Sequence, residues 1–137
     1  MKVQMLIGAA ALAMTASALA APTLTDGPPV ESGDMGCLIA TGWIAMAADK
    51  AAAKPDATPE RRASAQKIAT QSFADNAFYL GRMTMLGKEK LTKDLYSDAF
   101  NRFAKLSSTD QTAIIKICKE WARDAKLGVI EPWSAKP

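Results

Sequence analysis

TPERRASAQKIATQSFADNAFYLGRMTMLG, residues 58–87, is the stretch whose reading decides the fold. Thr58 stands as an N-cap whose hydroxyl can accept from an exposed backbone N–H. Pro59 takes the first helical position, where its missing N–H costs nothing, and Glu60 sets a carboxylate beside the positive helix end. From there only Gly81 interrupts a helical pattern, and Gly87 supplies a residue able to end it in the left-handed region. Ala65, Ala69, Phe73, Ala77 and Leu80 fall on one stripe, which Ile68, Phe78, Tyr79 and Met83 widen. So broad an apolar circumference predicts a helix in the middle of a bundle.

Toward the N-terminus, Asp34 reads as the N-cap of a helix reaching about Ala53, with Cys37, Ala40, Ile44 and Ala47 on one stripe and Trp43 and Met46 beside it. Lys54-Pro55-Asp56 breaks it. Toward the C-terminus, Lys88 to Leu91 connects to a helix capped by Thr92 and carrying Leu95, Ala99, Phe103 and Leu106, with Tyr96 and Phe100 alongside. Ser107-Ser108 ends that helix, and Ser108 with Gln111 matches the capping box of another. The last helix carries Ile114, Ile117, Cys118, Trp121 and Ala125 on one face and is predicted to stop at Gly128. No segment alternates apolar and polar residues as a strand does. The expected fold is all-α: a small four-helix bundle or an irregular helical array with one disulfide, occupying residues 35–128 as a single domain, with a tail over 129–137.

Residues 1–20 read as a signal peptide. Lys2 gives the positive start, Val3 to Leu19 is apolar, and Ala18-Leu19-Ala20 offers the small residues of a cleavage site, which is placed after Ala20. No block of positive charge follows to stop transfer, so stable membrane insertion after cleavage is not expected. The product of that cleavage has 117 residues and a formal charge of +2. It is expected in a periplasm or outside the cell. Residues 21–34 hold Pro22, Gly27, Pro28, Pro29 and Gly33 and read as a flexible Pro/Gly-rich leader.

In an oxidising compartment, Cys37 and Cys118, early and late in the domain, read as a disulfide. Closing a loop across 81 residues stabilises by about 4.5 kcal/mol in the chain-entropy treatment.

The 137 residues contain no histidine. Ser-His and Cys-His nucleophilic catalysis, histidine-bound zinc, copper or haem, and a histidine pH switch are therefore absent from the possibilities. No phosphate-binding GxxxxGK[ST] or GxGxxG pattern is present. Two cysteines without histidine rarely make a zinc site, so no metal, cofactor or catalytic residue is expected. Asp75, Asp94, Asp98, Asp110 and Asp124 lie on faces that read as solvated. Acidic and basic residues are interspersed, and Lys88, Lys90 and Lys93 are diluted by Glu89 and Asp94, so nucleic acid is not the expected partner.

Met35, Met46, Met83 and Met85 read as core filler rather than a thioether copper site, because helix positions two apart point to different faces. Trp43, Trp121 and Trp133 read as candidates to line a ligand groove, although Trp43 and Trp121 more simply pack around the disulfide, and Trp133 lies in the tail. Gly81 suggests close approach of another backbone. Arg82 reads as the partner of a neighbouring acid, with an interaction surface as the other reading. A surface or pocket for a partner or ligand is placed at Trp43, Phe73, Tyr79, Arg82 and Trp121.

The order of signal peptide, Pro-rich leader, Cys37 in the first helix, Phe78-Tyr79-Leu80-Gly81-Arg82 in a central helix and Cys118 in the last resembles small exported two-cysteine helical proteins of Gram-negative bacteria without an assigned function. More distantly, the layout is similar to the periplasmic acid-stress chaperones of the HdeA-like group, compact helical domains held by one disulfide. That resemblance implies dimers that open in acid, expose apolar surface and hold denaturing clients. The chain departs from it in length, in its longer central helix and in lacking a lysine-dense tail. Without histidine, any acid response would come from the 14 carboxylates, through those paired in the native state.

The expected function is non-enzymatic binding of another envelope protein through a helical face, as a chaperone, an inhibitor or an immunity-type partner. The alternative is a carrier of small apolar ligands, with a pocket between the helices bounded by Trp43, Phe73, Tyr79 and Trp121.

Overall fold

The computed structural model describes residues 22–23, 25–30, 33–87 and 90–134, with side chains as far as residue 127. The expected signal peptide and its cleavage site, and the side chain of Trp133, lie outside the described residues. Among those residues are four α-helices and no strand: α1 (Gly33–Ala52), α2 (Pro59–Leu86), α3 (Lys93–Ala104) and α4 (Ser108–Ser134).

The helix ends follow local chemistry. Thr58 Oγ1 accepts from the Arg61 N–H at 3.3 Å, Pro59 opens α2, and Gly87 closes it at φ 60°. Thr92 Oγ1 accepts from the Leu95 N–H at 3.2 Å to start α3. The cap of α4 lies one residue before the expected Ser108: Ser107 Oγ accepts from the Asp110 N–H at 3.1 Å and donates to the Asp110 carboxylate at 2.7 Å. Gln111, expected to complete that cap, instead donates from its side chain to the Phe103 carbonyl at 3.0 Å, tying the end of α3 to the start of α4. Nor does Gly128 end α4, which continues to Ser134. A glycine permits a left-handed stop without imposing one, at a cost of about 1 kcal/mol inside a helix.

α1, rather than α2, is the central element. It packs against α2, α3 and α4, and every side from Asp34 to Thr41 is buried. Small residues make this possible. A Cβ at Gly42 would stand 3.0 Å from Asn76 Nδ2, which donates to the Leu38 carbonyl at 2.6 Å. Gly42 is thus the glycine of close approach; a Cβ at Gly81 would meet nothing within 4 Å.

On α2 the buried face is Ala69, Ser72, Asp75, Tyr79, Arg82 and Met83, whereas Phe73 and Leu80 are 48% and 42% exposed. Polar residues take the inner positions because each has a partner there.

The Cys37–Cys118 disulfide joins α1 to α4 with Cα atoms 5.4 Å apart, and both residues are fully buried. Ala122 and Ala125 lie in the same core cluster, with Met35, Leu38, Ile39, Met83, Phe103 and Trp121. Tyr79 Oη donates to the Cys118 carbonyl at 2.6 Å, so α2 grips the same turn of α4 that the disulfide holds.

The segment expected as a flexible leader is partly docked: Pro28 is buried and Val30 packs on the core. Asp34, expected as a cap, lies inside the first turn of α1, which begins at Gly33 with φ 57°. Its carboxylate is used elsewhere.

Candidate functional site

Three arrangements on this framework bring polar or apolar groups together. At the centre, Arg82, 2% exposed, reaches from α2 to α1 and donates from Nε to Asp34 Oδ1 at 2.7 Å. Its Nη2 donates both to Asp34 Oδ2 and to the backbone carbonyl of Asp26, which ties the leader to the core. The guanidinium lies 4.6 Å from the Trp121 ring centroid and 5.9 Å from that of Phe78. Tyr79 stacks on Trp121 at 6.2 Å. Burial pushes the Tyr79 phenol well above its ordinary value, with the Asp75 and Asp34 charges adding to the rise and Arg82 opposing it. Tyr79 and Arg82 are buried and bonded to protein atoms, so the cluster holds the fold together.

The second arrangement lies between α2 and α4. Lys119 Nζ donates to Ser72 Oγ at 2.9 Å and approaches Asp75 Oδ2 at 3.2 Å, while Lys126 Nζ donates to Asp75 Oδ1 at 2.7 Å. Asp75, read from the sequence as solvated, is buried beneath the two ammonium groups. A serine beside a lysine is the arrangement of some hydrolases, but Ser72 is wholly buried and no substrate reaches its hydroxyl. Above these residues is an open groove of about 680 Å³, rimmed by basic side chains of α4.

The third is an open apolar groove of about 590 Å³ between α1, α3 and α4. Val30, Gly36, Ala99, Phe103, Leu106 and Ile114 line it, and Arg102 stands at its edge. Leu95 and Tyr96 on α3 and Leu106 just after it are 47%, 40% and 38% exposed. α3 is short and buries only Ala99 and Phe103 fully, leaving apolar surface beside the groove.

The structure brings Tyr79, Arg82 and Trp121 together, but inside the core. Trp43 packs instead on α3, with ring centroids 5.5 Å from Phe100 and 5.7 Å from Phe103. Phe73 is on the exposed side of α2. The four residues expected to bound a pocket, Trp43, Phe73, Tyr79 and Trp121, therefore have three different surroundings, and none of them lines either groove. Arg82 has the acid partner its sequence context suggests. Met35 and Met83 fill the core, while Met46 and Met85 are 44% and 77% exposed. The apolar groove was missed because Phe103, Leu106 and Ile114 read as core; helical spacing identifies an inward face and says nothing of the gap between two such faces.

Among the described residues no group of three or more histidine, cysteine or acidic side chains is placed to hold a metal ion, and no helix is long and apolar enough to cross a membrane. The chain matches no protein-family model, no curated protein and no solved structure.

Proposed function

We propose that this is an exported, non-enzymatic protein that binds an apolar segment of another envelope protein in the groove between α1, α3 and α4. The observation that carries this reading is that the groove is open and that Leu106, which lines it, and Leu95 and Tyr96, one turn before its lining residue Ala99 on α3, are exposed. Contiguous apolar surface of that kind on a small domain marks interaction sites. The buried disulfide supports export, because such bonds persist in oxidising compartments.

The second reading, a carrier of small apolar ligands, draws on the groove's volume of about 590 Å³, within the range that holds a drug-sized molecule. Its openness favours a peptide segment, which can lie along α3 without being enclosed.

A photo-cross-linking amino acid at position 106 tests the choice in the exported protein. Cross-links to one discrete polypeptide are expected, absent when the label replaces the exposed Lys67 and lost when Tyr96 is also changed to Asp. A bound small molecule in mass spectra of the purified protein, with no polypeptide cross-link, favours the carrier. Absence of both refutes the groove as a binding site.

A further inference from the structure

We propose that the groove between α2 and α4 is a second docking site, for an acidic segment of a partner protein. Lys116, Lys119, Arg123 and Lys126 follow at spacings of three, four and three, which sets them in one stripe about 15 Å long, and all four line the groove. With Asp75 and Glu120 also lining it, the groove has four cations and two carboxylates, a positive excess of two on a chain whose whole formal charge is +3.

The groove is built rather than incidental. Asp75, its side chain 11% exposed, lies beneath and fixes the ammonium groups of Lys119 and Lys126. Each ammonium has three donors, and the bonds to Ser72 and Asp75 leave at least one on each for a ligand. Lys116 stands 72% exposed, 4.0 Å from Glu120, and Arg123 engages Asp124 through Nε, leaving its terminal nitrogens. Ala74 and Ile115 supply apolar lining between the charges.

This combination selects the occupant. An extended peptide presents alternate side chains about 6.6 Å apart, close to the roughly 5–6 Å between the Cβ atoms of neighbouring positions in the stripe. Carboxylates on one side of such a strand face the α4 cations, and the alternating apolar residues face the α2 wall, which Ala74 lines. Glu120 and Asp75 in the same groove oppose the dense, uniform charge of a nucleic acid, and a flat bilayer cannot enter a concavity between two helices. No residue lines both this groove and the apolar one between α1, α3 and α4.

The test is fluorescence anisotropy of the oxidised protein with a fluorescein-labelled six-residue peptide alternating Glu and Leu. Its Gln-Leu counterpart, a short DNA duplex and phosphatidylglycerol vesicles serve as competitors. The acidic peptide is expected to bind about ten-fold more tightly than the neutral one and to weaken about ten-fold between low and high salt. Lys116→Gln and Arg123→Gln, both at exposed positions, should each weaken binding about two- to five-fold and together about ten-fold, with an unchanged circular dichroism spectrum. Leu106→Asp should leave it unchanged. Equal binding of the neutral peptide, no loss in the double variant, or stronger competition by DNA or vesicles overturns the proposal.

Discussion

Replacing Arg82 by Met keeps much of the side-chain volume and removes the charge, which isolates what the central ion pair contributes. In the native structure the guanidinium engages both oxygens of the Asp34 carboxylate and the Asp26 carbonyl and lies on the Trp121 ring. Asp34 is 4% exposed, so the variant leaves a carboxylate without its counter-charge and out of reach of water. Breaking a buried pair on one side costs about 3–5 kcal/mol. The Trp121 stack, worth about 2 kcal/mol when desolvated, overlaps with that figure and is not added to it. For a domain of this size the loss lowers Tm by at least about 12 °C. Urea unfolding followed by circular dichroism measures it directly. Arg82→Lys, which keeps the charge without the planar fork, should lose about half as much. Combining Arg82→Met with Asp34→Leu removes the orphaned charge and should recover most of the stability. A single variant within about 1 kcal/mol of the native protein, or a double variant no more stable than the single, refutes the assignment of Arg82 and Asp34 as a coupled pair.

The two glycines give a paired test: Gly81→Ala, with nothing within 4 Å of its new Cβ, should stabilise by about 0.5–1 kcal/mol. Gly42→Ala should destabilise in the same melts, because its Cβ would press on Asn76 at 3.0 Å while that amide is held by the Leu38 carbonyl. Tyr79→Phe, which loses the 2.6 Å bond to the Cys118 carbonyl, should cost about 1 kcal/mol at neutral pH. Because burial keeps the Tyr79 phenol protonated above its ordinary value of 10.0, the folded state retains a proton that the unfolded chain gives up. That contribution is complete below about pH 10 and declines as the pH rises toward the folded value, so alkaline unfolding should be less steep in Tyr79→Phe, as followed by far-ultraviolet circular dichroism.

Both ends of α2 and the start of α3 were legible because capping is local: Thr58 with Pro59, Thr92, and Gly87 each act on backbone groups within one turn. The disulfide was legible from the two cysteines and the export reading. The buried face of α2 was not. Its spacing points to Phe73 and Leu80, while the structure turns Ser72, Asp75 and Arg82 inward, and their burial depends on Lys119, Lys126 and Asp34 in other helices. An apolar pattern cannot register a polar residue that is neutralised from a distance. The same limit hid the central place of α1, whose Gly42 and alanines bury it by being small rather than by being strongly apolar. Neither groove could be read, because each exists only where two helices fail to close on one another.

The tie between α1 and α4 is the claim on which this account stands, and equilibrium urea unfolding of the oxidised protein beside its Cys37→Ala/Cys118→Ala variant tests it most directly. A loop spanning 81 residues predicts a loss of about 4.5 kcal/mol, a large part of the 5–15 kcal/mol typical of a domain this size. Superposable unfolding curves for the two proteins would contradict it.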